Sequence, residues 1–302
     1  VVRSWKNAPA FQDLIAEFFE FKSGDKNGVK RPKLRMKAVT IPLSEEQIQM
    51  RNQLESMYDA RDKSGKPLPG APLVSIGVQQ LMGVSPALVK SGDGAVWESD
   101  EAKDINIIGT RDFIERSPKL KYICDSIAGF YNAHKDEKPG EPIPGQIFFL
   151  PKGVERIKEV KDYLISNHGL PPEAVEFLDA KSKQDSAKDP VMKSQGLKRF
   201  SEITNDFNNL NGKCKIIIGT DVIKEGVDLN RNTAVAYNSC IDWNPTTEVQ
   251  KRGRSHRPGN LLPETMWVDV LMEDSIDSKL YQKQGEKISR INQIFEKDGS
   301  KA

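Results

Sequence analysis

Cysteine is scarce in this sequence: Cys124, Cys214 and Cys240 are the only three, and they lie far apart. They form neither a zinc-ligand spacing nor a disulfide framework, which points to a reducing, intracellular setting. No apolar run approaches the ~20 residues that span a bilayer, and no secretory leader is recognisable, so no membrane partner is expected. Net charge is small as well. The 45 lysines and arginines against 43 acidic residues leave +2, so the overall balance does not argue for a polyanionic partner and any basic surface is local. Repeats at solenoid periods are missing. So are two phosphate signatures. No GxxxxGK[ST] loop is present, and no GxGxxG follows a strand, which disfavours a dinucleotide-binding enzyme. No hydrophobic strand ends in an Asp-Glu pair suited to magnesium; Asp136-Glu137 is expected in a polar loop.

What remains is a chain able to bury a core. It has 302 residues, 37% hydrophobic and 29% charged, which excludes wholesale disorder and allows one large domain or two ordinary ones. Val1 stands where an initiator Met would, as expected of a processed or cloned piece.

Residues 1–63 have the pattern of helix, basic connector (22–37) and helix, with a short strand at Val39–Leu43 and a Ser44/Gln47 capping box. Residues 64–72 are a turn, 75–83 a helix and 91–104 a polar loop. From Ser117-Pro118, a cap followed by proline at the first helical position, the rhythm changes. Short apolar runs at Gln146–Leu150, Val175–Leu178, Cys214–Gly219, Ala234–Asn238 and Met266–Leu271 alternate with helical patterns. That alternation predicts a mostly parallel sheet with helices on both faces, an α/β fold. The expected division is 1–115, 116–275 and a C-terminal helix in 276–302.

The densest chemistry lies in 214–260. Gly219-Thr220 ends one apolar run, and Gly226-Val227-Asp228-Leu229 closes the loop after it. Ligands of open α/β sheets bind beyond the carboxyl ends of strands, where a hydroxyl and backbone N–H groups suit phosphate and a carboxylate suits a ribose hydroxyl. An ordinary turn with a capping Asp explains these residues as well, and is favoured for them alone. A second element begins at Asp242-Trp243-Asn244-Pro245. Asn244 can cap and Pro245 can start a helix, and on that helix Gln250, Arg254 and Arg257 would share a stripe. Two guanidiniums at that spacing repel one another and are best explained by an anion near them, which Arg's fork matches when it is phosphate. Gly253 and Gly259 suggest close approach by something, against the simpler reading of a solvated basic helix end. His256 reads as structural.

Taken together, these segments resemble the second RecA-like lobe of a superfamily-two helicase. Gln146–Leu150 is similar to motif IV, Gly219-Thr220 through Leu229 to motif V, and Gln250 through Gly259 to motif VI; Ser117 to Leu120 is similar to the entry into the lobe. The Asp242–Pro245 tetrad, the Arg254–Asn260 ending and the stretch Gln79–Leu88 resemble the Swi/Snf-type DNA translocases more narrowly. Asp228, Gly253 and Asn260 depart from that subfamily's usual residues. The likeness spans about residues 75–272.

The resemblance implies a RecA-like lobe, preceded by a largely helical region holding the tail of a first lobe and an insertion. It implies ATP with magnesium as cofactor, the magnesium ligands being on the first lobe. Arg257 would be the arginine finger, Arg254 would support the phosphates or the contact between lobes, and Gln250 would orient the nucleotide-lobe interface. Gly226 and Asp228 would meet nucleotide and ribose. Gly219, Thr220 and Lys152 would contact the nucleic-acid backbone. The implied partners are duplex DNA, bound without sequence preference, and the first lobe of the same protein. By itself, the chain is expected to bind ATP weakly and hydrolyse it negligibly. An ATPase-inactive nucleic-acid-binding module and the lobe of an RNA helicase are the alternatives.

Overall fold

The continuous apolar runs become strands covered on both faces, as parallel pairing requires. The computed structural model describes residues 30–56, 61, 64–66, 70–89, 113–151, 156–179, 190–223 and 227–295. Its strands are β1 (Lys33–Ile41), β2 (Gly145–Phe149), β3 (Val175–Leu178), β4 (Ile216–Gly219), β5 (Thr233–Asn238) and β6 (Glu264–Met272). They form one six-stranded sheet in the order β1-β6-β5-β2-β4-β3. Every pairing is parallel. The helices are α1 (Glu45–Ser56), α2 (Ala71–Val84), α3 (Pro118–Glu137), α4 (Ile157–His168), α5 (Pro190–Asn208), α6 (Pro245–Arg252) and α7 (Ile276–Phe295). From β2 the chain steps outward to β3 and back to β4, then crosses to β5 on the other side. The winding direction reverses around β2, the kind of place where open α/β sheets bind ligands.

Alternation along the central strands builds two cores. Phe148, Ile216 and Ile218 face α3 and α4, whose Leu120, Ile123, Ile127, Val160 and Leu164 are buried there. Ile147, Phe149 and Ile217 face the other way, toward Phe200, Phe207, Val227, Leu229 and Trp267. Each aliphatic side chain buried in this manner contributes roughly 1.5–3 kcal/mol. The predicted caps at Ser117 and Ser44 form. Ser117 Oγ accepts from Leu120 N at 3.0 Å. Ser44 Oγ accepts from Gln47 N at 3.2 Å, and Gln47 Oε1 accepts from Ser44 N at 3.1 Å.

Three elements differ from the sequence reading. The expected strand at Val39–Leu43 begins earlier, at Lys33, within the supposed basic connector, because its partner β6 supplies the ladder and an edge position leaves Lys33, Arg35 and Lys37 in solvent. The sheet thus takes its edge strand from the region before residue 115. Asp136 and Glu137 close the last turn of α3 rather than sitting in a loop. Helix α6 stops at Arg252, so the stripe drawn through Gln250, Arg254 and Arg257 leaves the helix after its first member.

A buried ion pair ties the beginning of the β2–β6 region to its end. Lys119 and Asp277 are 0% and 1% exposed. Lys119 Nζ also donates to Ser239 O at 2.9 Å, and Asp277 Oδ2 accepts from Met272 N at 3.0 Å.

Candidate functional site

The site is carried by the segment from the end of β5 to the start of β6. Its first part is a clamped loop. Asn244 caps α6 by accepting from Thr246 N at 3.0 Å, with Pro245 next, as the sequence predicts. The three carbonyls before the cap are each held from outside the loop. Gln80 of α2 donates to Ile241 O at 2.8 Å. Gln284 and Lys287 of α7 donate to Asp242 O and Trp243 O. The Trp243 indole N–H donates to Gln80 Oε1 at 3.2 Å.

Beneath α6 lies a polar cluster that sequence reasoning missed. Lys251 Nζ donates to Glu248 Oε1 at 3.0 Å and to Cys240 O at 3.1 Å. Asn238 donates to Glu248 at 3.0 Å and to Asp269 Oδ1 at 2.9 Å, and Trp267 Nε1 donates to the same Asp269 oxygen at 2.9 Å. Burial opposes the charge on Lys251, but the Glu248 carboxylate together with Cys240 and Asp242 holds the ammonium above the usual lysine range. Burial pushes the Asp269 carboxyl up, against the pull of the Asn238 and Trp267 hydrogen bonds.

A carboxyl raised in the folded state keeps a proton that the unfolded chain has released. Its stabilising contribution is therefore complete below the ordinary aspartate value of 3.8 and is lost as pH rises through the raised value. Asp269→Asn should flatten that stretch of the curve of stability against pH. Urea midpoints between about pH 4 and pH 7 test this; an unchanged slope in the variant would show that Asp269 does not titrate there.

After α6 the chain tightens into turns. Gly253 N–H reaches Val249 O at 2.9 Å, and His256 N–H reaches Arg252 O at 2.9 Å. Gly259 has φ +91, a conformation costly for any residue with a Cβ. The glycines thought to admit a ligand thus have local reasons: a Cβ at Gly253 would crowd Val249 O at 3.3 Å, and Gly259 makes a left-handed turn. The segment is pinned to the loop before β5. Asn230 donates to Pro258 O at 2.8 Å, Asn260 to Thr233 O at 3.0 Å, and Leu261 N–H to Arg231 O at 3.0 Å.

These turns, rather than a helix stripe, bring the predicted residues together. Gln250, Gly253, Arg254, His256, Arg257 and Pro258, with Arg31 from the approach to β1, line a cleft of about 290 Å³. That is near the lower limit of small-molecule sites, enough for a phosphate chain and its near neighbours. Three guanidiniums face it, and its described lining holds no carboxylate. Arg254 donates to Val227 O at 2.8 Å. Arg257 forms an ion pair with Asp228; the two side chains are 48% and 71% exposed. Screening by water makes so exposed a pair weak, so Arg257 can leave it for a stronger anion. The anion inferred from two neighbouring arginines is, in this state, partly the chain's own Asp228.

Gly219 and Thr220 stand apart from the cleft, at the carboxyl end of β4. Thr220 is 7% exposed, and its carbonyl accepts from Ile223 N at 3.1 Å. A Cβ on Gly219 would lie 2.5 Å from Ile223 Cδ1, so this glycine has a packing reason as well. Gly226 and Lys152, expected at nucleotide and nucleic acid, lie outside the described residues. Arg31 was legible only as one of many basic residues; no local signal joins it to residues 250–258. Among the described residues no group of three or more His, Cys, Asp or Glu side chains is arranged to hold a metal ion, and no helix is long and apolar enough to cross a membrane.

Comparison with known proteins fits this geometry. Residues 155–259, about a third of the chain, match the family described as the helicase conserved C-terminal domain. No curated protein matches the sequence significantly. Among solved structures, the C-terminal part of the Fun30 ATPase domain superposes with a TM-score of 0.56, covering 89% of this chain and 91% of that one at 11% identity. At that identity the likeness is one of fold: a RecA-like α/β architecture.

Proposed function

We propose that this chain is the second motor lobe of an ATP-dependent DNA helicase or translocase of Swi/Snf type, working inside the cell with a first RecA-like lobe. The observation that carries the reading is the cleft itself. Gln250, Arg254 and Arg257 converge on one cationic opening, within a region that matches a helicase C-terminal family. The lobe comprises residues 116–275, and the parallel pairing of β1 with β6 supports adding residues 33–41 to it. Its closing helix is α7, Ile276–Phe295.

A cleft lined by guanidiniums and an amide fits the phosphates of ATP. Its small volume fits half of a site, completed by another lobe. ATP supplies the anhydride bond whose hydrolysis drives movement, and magnesium is held by the other lobe. In this lobe Arg254, braced on Val227 O, presents a fixed charge to the phosphates. Arg257 exchanges Asp228 for the terminal phosphate and stabilises the charge that develops there. Gln250 orients the nucleotide, and Asp228, once released, is free for a ribose hydroxyl, with Gly226 beside it. Gly219, Thr220 and Lys152 contact the DNA backbone, which carries no sequence information.

The test is ATP turnover by a two-lobed protein containing this chain, with duplex DNA, single-stranded DNA and RNA titrated separately. Stimulation by duplex DNA is expected. Stimulation by RNA alone would move the assignment to an RNA helicase. Binding without turnover would leave a nucleic-acid-binding module. The chain 1–302 alone should hydrolyse ATP negligibly, and robust turnover that depends on Arg257 would contradict the half-site reading.

A further inference from the structure

Arg31 reaches the cleft from far away in sequence. The ladder of β1 against β6 begins at Lys33 opposite Glu264, and Lys33 N–H donates to Pro263 O at 2.8 Å. Arg31 therefore enters the cleft wall beside the segment that carries Arg257 and Pro258. Pro32 is buried, and the residue before a proline is restricted to extended backbone. An anchored proline and a strand ladder thus set where Arg31 starts from. With Arg254, Arg257 and His256 the lining gathers three guanidiniums and an imidazole around about 290 Å³. Guanidiniums gathered around one opening favour the binding of a polyanion there.

We propose that Arg31 is a further polyphosphate-binding residue of this cleft, a third guanidinium contributed by the segment that leads into β1. The proposal rests on the reading that the cleft takes the phosphates of a nucleotide, and deepens it. It makes phosphate binding report on whether β1 is paired with β6.

The test is calorimetric titration of tripolyphosphate, and separately ATP, into the chain at low ionic strength. The variants are Arg31→Ala, Arg31→Lys, Arg257→Ala and Arg35→Ala. Arg35 lies four residues further on, within β1, and pairs with Glu264 outside the cleft. A charge-assisted contact predicts that Arg31→Ala weakens tripolyphosphate binding about tenfold and lowers its salt dependence. Arg31→Lys should recover only part of the loss, because an ammonium lacks the fork. Arg35→Ala should bind like the parent chain. If Arg257→Ala weakens binding and Arg31→Ala does not, the proposal is overturned while the cleft stands. If neither variant weakens it, or the parent chain does not bind tripolyphosphate, the phosphate reading of the cleft falls with it. Equal losses in Arg31→Ala and Arg35→Ala would also overturn the proposal, by assigning the effect to strand charge.

Discussion

Arg257→Ala should lower DNA-stimulated ATP turnover by the two-lobed protein by about 10³- to 10⁵-fold, the contribution an arginine finger makes. Its effect on folding should be small. Arg257 is half exposed, and its partner Asp228 is more exposed still. A surface substitution away from packed contacts changes stability by roughly 0.5 kcal/mol or less, and an exposed ion pair is worth about 0–1 kcal/mol. Asp228→Ala removes the same ion pair and leaves the guanidinium in place, so it should cost turnover far less than Arg257→Ala. Measuring kcat and the denaturation midpoint on both variants separates the roles. A large fall in midpoint with Arg257→Ala, or equal losses of kcat in the two variants, would assign Arg257 to holding the loop rather than to the chemistry.

Lys119→Ala should be the more damaging change to the fold, at about 3–5 kcal/mol, the cost of leaving one partner of a buried ion pair alone. Native domains have only about 5–15 kcal/mol in hand. The pair is fully enclosed, and each partner also satisfies backbone: Lys119 the carbonyl of Ser239, Asp277 the amide of Met272. Removing the ammonium strands a carboxylate and a carbonyl together. The double variant Lys119→Met with Asp277→Leu should recover part of the loss, since two well-packed apolar side chains can replace a buried pair. Urea unfolding of Lys119→Met, Asp277→Leu and the double variant measures the coupling. Strict additivity would show that the two side chains stabilise the fold independently. Ser239 lies just before the clamped loop of α6, so turnover should fall along with stability in the single variants.

How much of this was legible in the sequence depended on whether the signal was local. The central strands were, because burial on both faces demands unbroken apolar runs; Val175–Leu178 is a strand over the predicted residues. The caps at Ser44, Ser117 and Asn244 were, because capping is settled within four residues. Strand β1 was only partly so. An edge strand with exposed Lys33, Arg35 and Lys37 reads as a polar connector until its partner is known. Gln250, Arg254 and Arg257 were correctly grouped but by the wrong device: the helix ends at Arg252, and turns pinned by Asn230 and Asn260 gather them. Gly253 and Gly259 pointed to close approach, and the neighbours are atoms of the chain itself. The pairing of Asp228 with Arg257 and the arrival of Arg31 depend on contacts between segments remote in sequence, which no window of residues encodes.

The partnership of β1 and β6 also sets an order of events as the chain is made. The edge strand is synthesised before its hydrogen-bonding partner, Glu264–Met272, which emerges more than 200 residues later. Contacts so distant along the chain are slow to form, because loop closure must precede any gain from pairing. Until then β1 waits with an unpaired edge, the condition that invites sticking to other chains. Lys33, Arg35 and Lys37, which put no apolar surface into the core, are the residues that deter it, as charged side chains do on strand edges generally. The Arg31 side of the cleft is therefore among the last features of this chain to be assembled, and newly made protein should acquire its central core before it completes the cleft.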